Sequence, residues 1–282
     1  MTAHFLRRVL APAVLVFAMV LGVAPMARAG ALEDGLKAYG KGDYAAARRL
    51  LVPLAEKGDP RAQTTVGAMN EDAQGGPHIY QEAERWYLKA ANQAYAPAQY
   101  ALGVLYANGH TGVARNVPEA IKWYRLAAEH GNAPAQTMLG LVYDGGLGVA
   151  RNGVEAVKWY RLAAEQGDAG AQFQLGYKYE AGEGVDQSDR QAVIWYRKAA
   201  GQDEADAQNN LAFMYSNGRG VATDIVRAYM WYDLAARRTD AGEDPDAKAN
   251  RDSVASKLTP AQIAQARDLA KACRASHFNR CD

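Results

Sequence analysis

Five Trp-Tyr pairs, Trp86-Tyr87, Trp123-Tyr124, Trp159-Tyr160, Trp195-Tyr196 and Trp231-Tyr232, recur at spacings of 37, 36, 36 and 36 residues and use every tryptophan in the chain. Each pair is followed three residues later by Ala-Ala: Ala90-Ala91, Ala127-Ala128, Ala163-Ala164, Ala199-Ala200 and Ala235-Ala236. Upstream of each pair lies an Ala-Gln: Ala62-Gln63, Ala98-Gln99, Ala135-Gln136, Ala171-Gln172 and Ala207-Gln208. Several residue types sharing one period specify a repeat architecture. That overrides the length-based reading of two globular domains.

Each unit reads as two helices joined by a Gly-rich loop. On helix A of the second unit, Ala98, Gln99, Leu102, Gly103 and Tyr106 fall on one face at 100° per residue. On helix B, Ala120, Trp123, Tyr124, Ala127 and Ala128 form an i, i+3, i+4, i+7, i+8 stripe. Gly103 recurs as Gly67, Gly140 and Gly176, and Ala212 keeps the position small. The expected packing sets the Trp-Tyr pair over these small residues. The loops Gly146-Leu147-Gly148, Gly182-Glu183-Gly184 and Gly218-Arg219-Gly220 follow helices, not strands, and recur once per repeat, which excludes a phosphate-cradling role. The second unit spends its extra residue at Gly109-His110-Thr111-Gly112. A lone pair of short helices is marginal, so the units must stack to be stable.

The two ends carry different information. Arg7-Arg8, an apolar run from Val9 to Val23 and Ala27-Arg28-Ala29 predict a leader over 1–29, cleaved after Ala29. The run is too short, and broken by Pro12, to be a retained span. Without Arg7, Arg8 and Arg28, the 32 Lys+Arg become 29 against 31 Asp+Glu, a formal charge of −2. That balance argues against nucleic-acid or polybasic membrane binding. Cys273 and Cys281, a single nearby pair in an oxidising compartment, are expected to form a disulfide stapling the tail.

The pattern AQxxLGxxYxxGxGVxxxxxxAxxWYxxAAxxG resembles the Sel1-like repeat, a relative of the tetratricopeptide repeat. The third unit matches it throughout. In the first unit Asn70 replaces the helix-A Tyr and Gly75-Gly76 replaces Gly-Val. The resemblance implies an all-α, α/α superhelical solenoid with five repeats over 59–239. An N-terminal capping hairpin over 30–58 sets Leu50-Leu51 where Trp-Tyr would fall. C-terminal capping helices over 240–282 start at Asp244-Pro245 and Thr259-Pro260. It further implies an exported interaction module, regulator or assembly scaffold in the bacterial cell envelope. The implied partner is another protein, such as a sensor kinase or a polysaccharide or secretion assembly component. The competing class, an envelope hydrolase or small-ligand binder like the β-lactam-linked Cys-rich branch, lacks here the cysteine pairs that branch carries in its repeats.

No HExxH, GxSxG or Walker-type sequence occurs. His78, His110, His130 and His277 are scattered at no ligand spacing. The expectation is therefore no catalytic residue, no metal site and no cofactor. The helix-A face opposite the packing face is expected to line the concave side and hold a partner. It comprises Arg61, Thr64 and Thr65, then Tyr100 and Val104, Met138 and Leu141, Phe173 and Tyr177, and finally Asn209, Asn210 and Phe213, an apolar stripe of the kind that marks partner sites.

Overall fold

A computed structural model describes residues 30–237, 244–278 and 281. The leader expected at 1–29 lies outside the described residues. Among those residues every regular element is an α-helix, the one β contact being an isolated bridge between His110 and Val113. The chain divides into two compact units between Asn116 and Val117.

The first unit holds α1 (30–40), α2 (Tyr44–Glu56), α3 (Pro60–Glu71), α4 (Tyr80–Ala91) and α5 (Ala96–Asn108). The second begins with α6 (Val117–Glu129), α7 (Ala133–Gly145), α8 (Gly153–Glu165), α9 (Ala169–Ala181) and α10 (Asp189–Ala200). It continues with α11 (Ala205–Asn217), α12 (Ile225–Ala236), α13 (Pro245–Ala255) and α14 (Pro260–Ala275). Within each unit, sequential helices pack from α2 through α5 and from α6 through α13. Helix starts follow local chemistry: Asp59, Asn132, Asp168, Ser188 and Asp224 each accept a backbone N–H of the first turn. The expected starts of the tail helices also form, with Asp244 capping α13 and Thr259 making a capping box with Gln262.

Within a repeat the two helices approach through a tyrosine seated on a glycine. A Cβ at Gly67 would lie 2.6 Å from Tyr87 Cε1, and one at Gly176 would lie 2.7 Å from Tyr196 Cδ1. Gly140 is blocked in the same way by Tyr160. The N-terminal hairpin repeats the device, with Gly35 under Leu51.

Trp123 and Trp231 are buried, but the other three tryptophans behave otherwise. Trp86, Trp159 and Trp195 are only half-buried, which corrects the expectation that both aromatics sit over the small residues. Adjacent helix positions point about 100° apart, so when Tyr faces its own repeat, Trp is turned away. Trp86 packs against the cluster built by the N-terminal hairpin and α3, and Trp195 against the cluster of α8 and α9. Lys89 and Lys198 each lie 4.0 Å from the ring centroid of Trp86 and Trp195, respectively.

The recurrent glutamine tightens the same boundaries. Buried Gln63, Gln136 and Gln172 donate to the carbonyls of Ala55, Ala128 and Ala164 at 2.9, 3.1 and 3.1 Å. Each thereby gives a second donor to a carbonyl at the end of the preceding B helix, which also accepts from the backbone N–H of Gly58, Gly131 or Gly167. Loop glycines add close contacts between repeats. Gly184, at φ +75, would drive a Cβ into the Gly153 carbonyl at the start of α8.

Gly176→Ala is expected to destabilise by about 2–3 kcal/mol through overpacking against Tyr196. Gly170→Ala, in the same helix and free of such a clash, should be neutral or stabilising by up to about 1 kcal/mol. Urea unfolding of the two variants checks the contrast.

Candidate interaction face

The side chains expected to meet a partner fall into the two compact units. In the first, Arg61 is exposed and pairs with Glu33 at 2.8 Å. Thr64 and Thr65 turn their hydroxyls back to the Pro60 and Arg61 carbonyls, and Tyr100 and Val104 are half-buried.

In the second unit, α7, α9 and α11 carry Leu141, Tyr177 and Phe213 at one equivalent position, directly after the small residue of helix A. Tyr177 and Phe213 are exposed, at 44% and 41%, and the Arg219 guanidinium lies 5.8 Å from the Phe213 ring centroid. The neighbouring stripe positions do more structural work than their sequence suggested. Phe173 packs against the terminal core cluster, with its ring centroid 6.0 Å from that of Tyr196. Leu141 packs against the α8–α9 cluster, and Met138 is half-buried. Asn210 donates to the Tyr196 hydroxyl at 3.2 Å, and Asn209 accepts from Asn250 of α13 at 3.1 Å. The exposed aromatic part of the stripe is thus Tyr177 and Phe213.

Beside Tyr177 lies a charge that pattern reading missed. Met69, Leu105, Val142 and Met214 fill one buried helix-A position, and the fourth repeat puts Lys178 there, 1% exposed. Its Nζ lies 2.6 Å from Asp144 Oδ1 of the preceding repeat and 2.7 Å from Glu183 Oε2 of its own loop. Burial alone would lower the Lys178 pKa, but the two carboxylates outweigh it and hold the ammonium above its ordinary value. Glu183 is held below the usual carboxylate range by its bond to Lys178. A lysine kept protonated between two carboxylates is neither nucleophile nor base, so the cluster is a structural bridge between repeats.

The bridge also explains an orphan. Tyr87 and Tyr196 donate to Glu71 and Glu180 at 2.7 Å, and burial raises both phenols so that they remain donors. The equivalent acid for Tyr160 is Asp144, one methylene shorter and drawn to Lys178. Tyr160 Oη is left without a hydrogen-bond partner among the described residues.

The histidines are less scattered than their numbering. His78 and His110 stack on Tyr80, with ring centroids 5.5 and 4.1 Å away. Among the described residues no group of three or more His, Cys, Asp or Glu could hold a metal ion. The expected disulfide is formed, Cys273 to Cys281, with Cα atoms 4.6 Å apart.

Lys178→Met, which suits the seat, should leave stability at pH 7 unchanged or higher, whereas Lys178→Ala should lose about 2–4 kcal/mol through the cavity. The depressed Glu183 pKa means its contribution is present above its ordinary value of 4.5 and lost as pH falls through the lowered one. The wild-type chain should therefore lose stability more steeply than Lys178→Met below that pH. Denaturant unfolding at pH 7 and at acid pH checks both statements.

The family model of the Sel1 repeat matches residues 60–95, 96–132, 133–168, 169–204 and 205–240. Among solved structures, the chain is similar to c5321, described as a protective antigen present in uropathogenic Escherichia coli strains and displaying an SLR fold. The identity is 36%, the TM-score 0.79, and the match covers 90% of this chain but 53% of that one. It is also similar to a Sel1 repeat protein from Oxalobacter formigenes, at 38% identity and TM-score 0.65, covering 72% of this chain and 83% of the other. No curated protein matches. Sel1 repeat proteins generally mediate protein–protein interaction. The tyrosine-on-glycine seats, the glutamine links and five consecutive family matches lead to one assignment: this chain belongs to the Sel1 repeat family.

Proposed function

We propose that this protein is an exported interaction module of the bacterial cell envelope, acting as a regulator or assembly scaffold. Its partner docks on the exposed A-helix side chains of the second unit. The observation that carries this reading is the pair Tyr177 and Phe213, two large aromatic side chains left exposed at one equivalent position of consecutive repeats. Aromatic residues are enriched at the centres of protein interfaces and among their anchoring side chains. Arg219 lies over the Phe213 ring and is itself paired with Glu180 and Asp189, so the aromatic pair sits in charge-balanced surroundings.

Residues 1–29 read as a cleavable leader, and the Cys273–Cys281 disulfide suits an oxidising compartment, the periplasm or the exterior. Among the described residues no helix is long and apolar enough to cross a membrane. The relative described as a protective antigen is in keeping with a place at or beyond the envelope. An envelope protein, such as a sensor kinase or a component of a polysaccharide or secretion assembly, is the partner class that this placement favours. The near-neutral charge balance argues against a nucleic-acid partner.

The double variant Tyr177→Ser/Phe213→Ser should keep wild-type helicity by circular dichroism. It should lose the envelope protein that the wild-type chain crosslinks in native envelopes. Capture that survives both substitutions removes the face from consideration. Cell fractionation followed by N-terminal sequencing should find a mature chain beginning Gly30-Ala31-Leu32 outside the cytoplasm.

A further inference from the structure

The five repeats end at α12, yet the chain beyond them keeps repeat chemistry. Asp59-Pro60-Arg61-Ala62 opens α3, and Asp244-Pro245-Asp246-Ala247 opens α13. In both, the aspartate Oδ1 accepts from the backbone N–H groups two and three residues on, at 3.0–3.1 Å. Ala247 is buried, as are Ala62, Ala98, Ala135, Ala171 and Ala207 at the same position, and α13 packs on α12 as α11 packs on α10. α14 places Ala266, Leu269-Ala270 and Cys273 at the spacing of Ala120, Trp123-Tyr124 and Ala127. Its end has the geometry of a B-helix end. Phe278 N–H donates to the Cys273 carbonyl after His277 at φ +50, as Asn132 N–H donates to Ala127 after Gly131 at φ +81.

Against this register, three linked exchanges stand out. The repeats fill one core position of helix A with Val66, Leu102, Leu139, Leu175 and Leu211, and α13 has Arg251. Helix B reaches the next repeat through Arg125–Tyr143, Arg161–Tyr179 and Arg197–Tyr215, and α12 has Asp233 at the arginine position. The tyrosine position in α13 is Ala255. Asp233, 3% exposed, meets Arg251 at 3.4 Å and is also held by Arg237 at 2.7 Å. The glycine under the tyrosine has become Asp252, and the tyrosine has become Ala270, so α14 has no seat on α13. It packs across α12 instead, where Met230 and Leu234 are buried although their register equivalents in α10, Ile194 and Lys198, are exposed.

We propose that α13 is the A helix of a sixth, degenerate repeat, latched to α12 by the Asp233–Arg251 pair in place of a leucine plug, so that α13 and α14 open as a unit of their own and uncover the Met230–Leu234 face of α12. A buried pair offsets its own desolvation only in part, whereas leucine in the same seat gains its transfer energy outright. The last repeat is thereby attached more weakly than the ones before it.

Native-state hydrogen exchange on the full-length disulfide-bonded chain tests this. The expected result has three parts. Amides of α13 and α14 exchange together and faster than those of α9–α12. Arg251→Ala speeds them by at least about tenfold. Arg251→Leu holds them at or below the wild-type rate, because leucine fits the seat while Arg237 still neutralises Asp233. The proposal is overturned if α13 and α14 exchange in step with α11 and α12, or if Arg251→Leu exchanges faster than wild type. The comparison of wild type with Arg251→Leu decides the matter even where Arg251→Ala does not fold.

Discussion

A tyrosine ring seated where a glycine presents no side chain fixes how closely the two helices of a repeat approach, and most of the structure follows from that spacing. With Tyr87 on Gly67 or Tyr196 on Gly176, the adjacent tryptophan stays half-buried and packs where its own A helix meets the preceding helices. The apolar clusters consequently straddle repeat boundaries, and a buried glutamine from each A helix closes the carbonyl end of the preceding B helix. None of these clusters is built from a single repeat. Stability is a property of neighbours, which is the physical reason such units occur in arrays.

Two charges, one buried and one partly buried, interrupt this regularity, and both sit in seats that are apolar elsewhere. Lys178 takes the place of Met69, Leu105, Val142 and Met214, and Arg251 takes that of Leu102, Leu139, Leu175 and Leu211. A buried ion pair contributes less to stability than a well-packed apolar side chain, but it demands a particular neighbour. Lys178 is paired with the Asp144 carboxylate of the third repeat, across the boundary between the two repeats. Arg251 meets Asp233, which only the fifth repeat carries at that position. Charge thus distinguishes repeats that share an otherwise common core.

The exposed face gains its meaning from the same packing rules. Helix A spends Ala, Gln, Leu and Gly on its neighbours, and what remains outward is free to vary. In the third to fifth repeats the position after the small residue runs Leu141, Tyr177, Phe213, and the last two are exposed. Neighbouring candidates such as Phe173, Asn209 and Asn210 are partly engaged by the core, by Tyr196 or by α13. The surface available to a partner is therefore narrower than the stripe of residue types alone implied, and Tyr177 and Phe213 dominate it.

The sequence by itself determined the repeat, its period, the helix pairs and their starts, and the disulfide. Each of these rests on local chemistry or on spacing along one helix: Trp-Tyr at 36 residues, Asp or Asn before the first turn, a single nearby cysteine pair. Only the tertiary structure decided which aromatic fills the core, because Trp and Tyr are neighbours in sequence and part company only when a second helix approaches one of them. It also decided the role of Gln63 and its equivalents, the bringing together of His78, Tyr80 and His110, and the tying of Tyr160, Asp144 and Lys178 into one site. These links run from one helix or loop to another, and pattern along a single helix carries no record of what faces it.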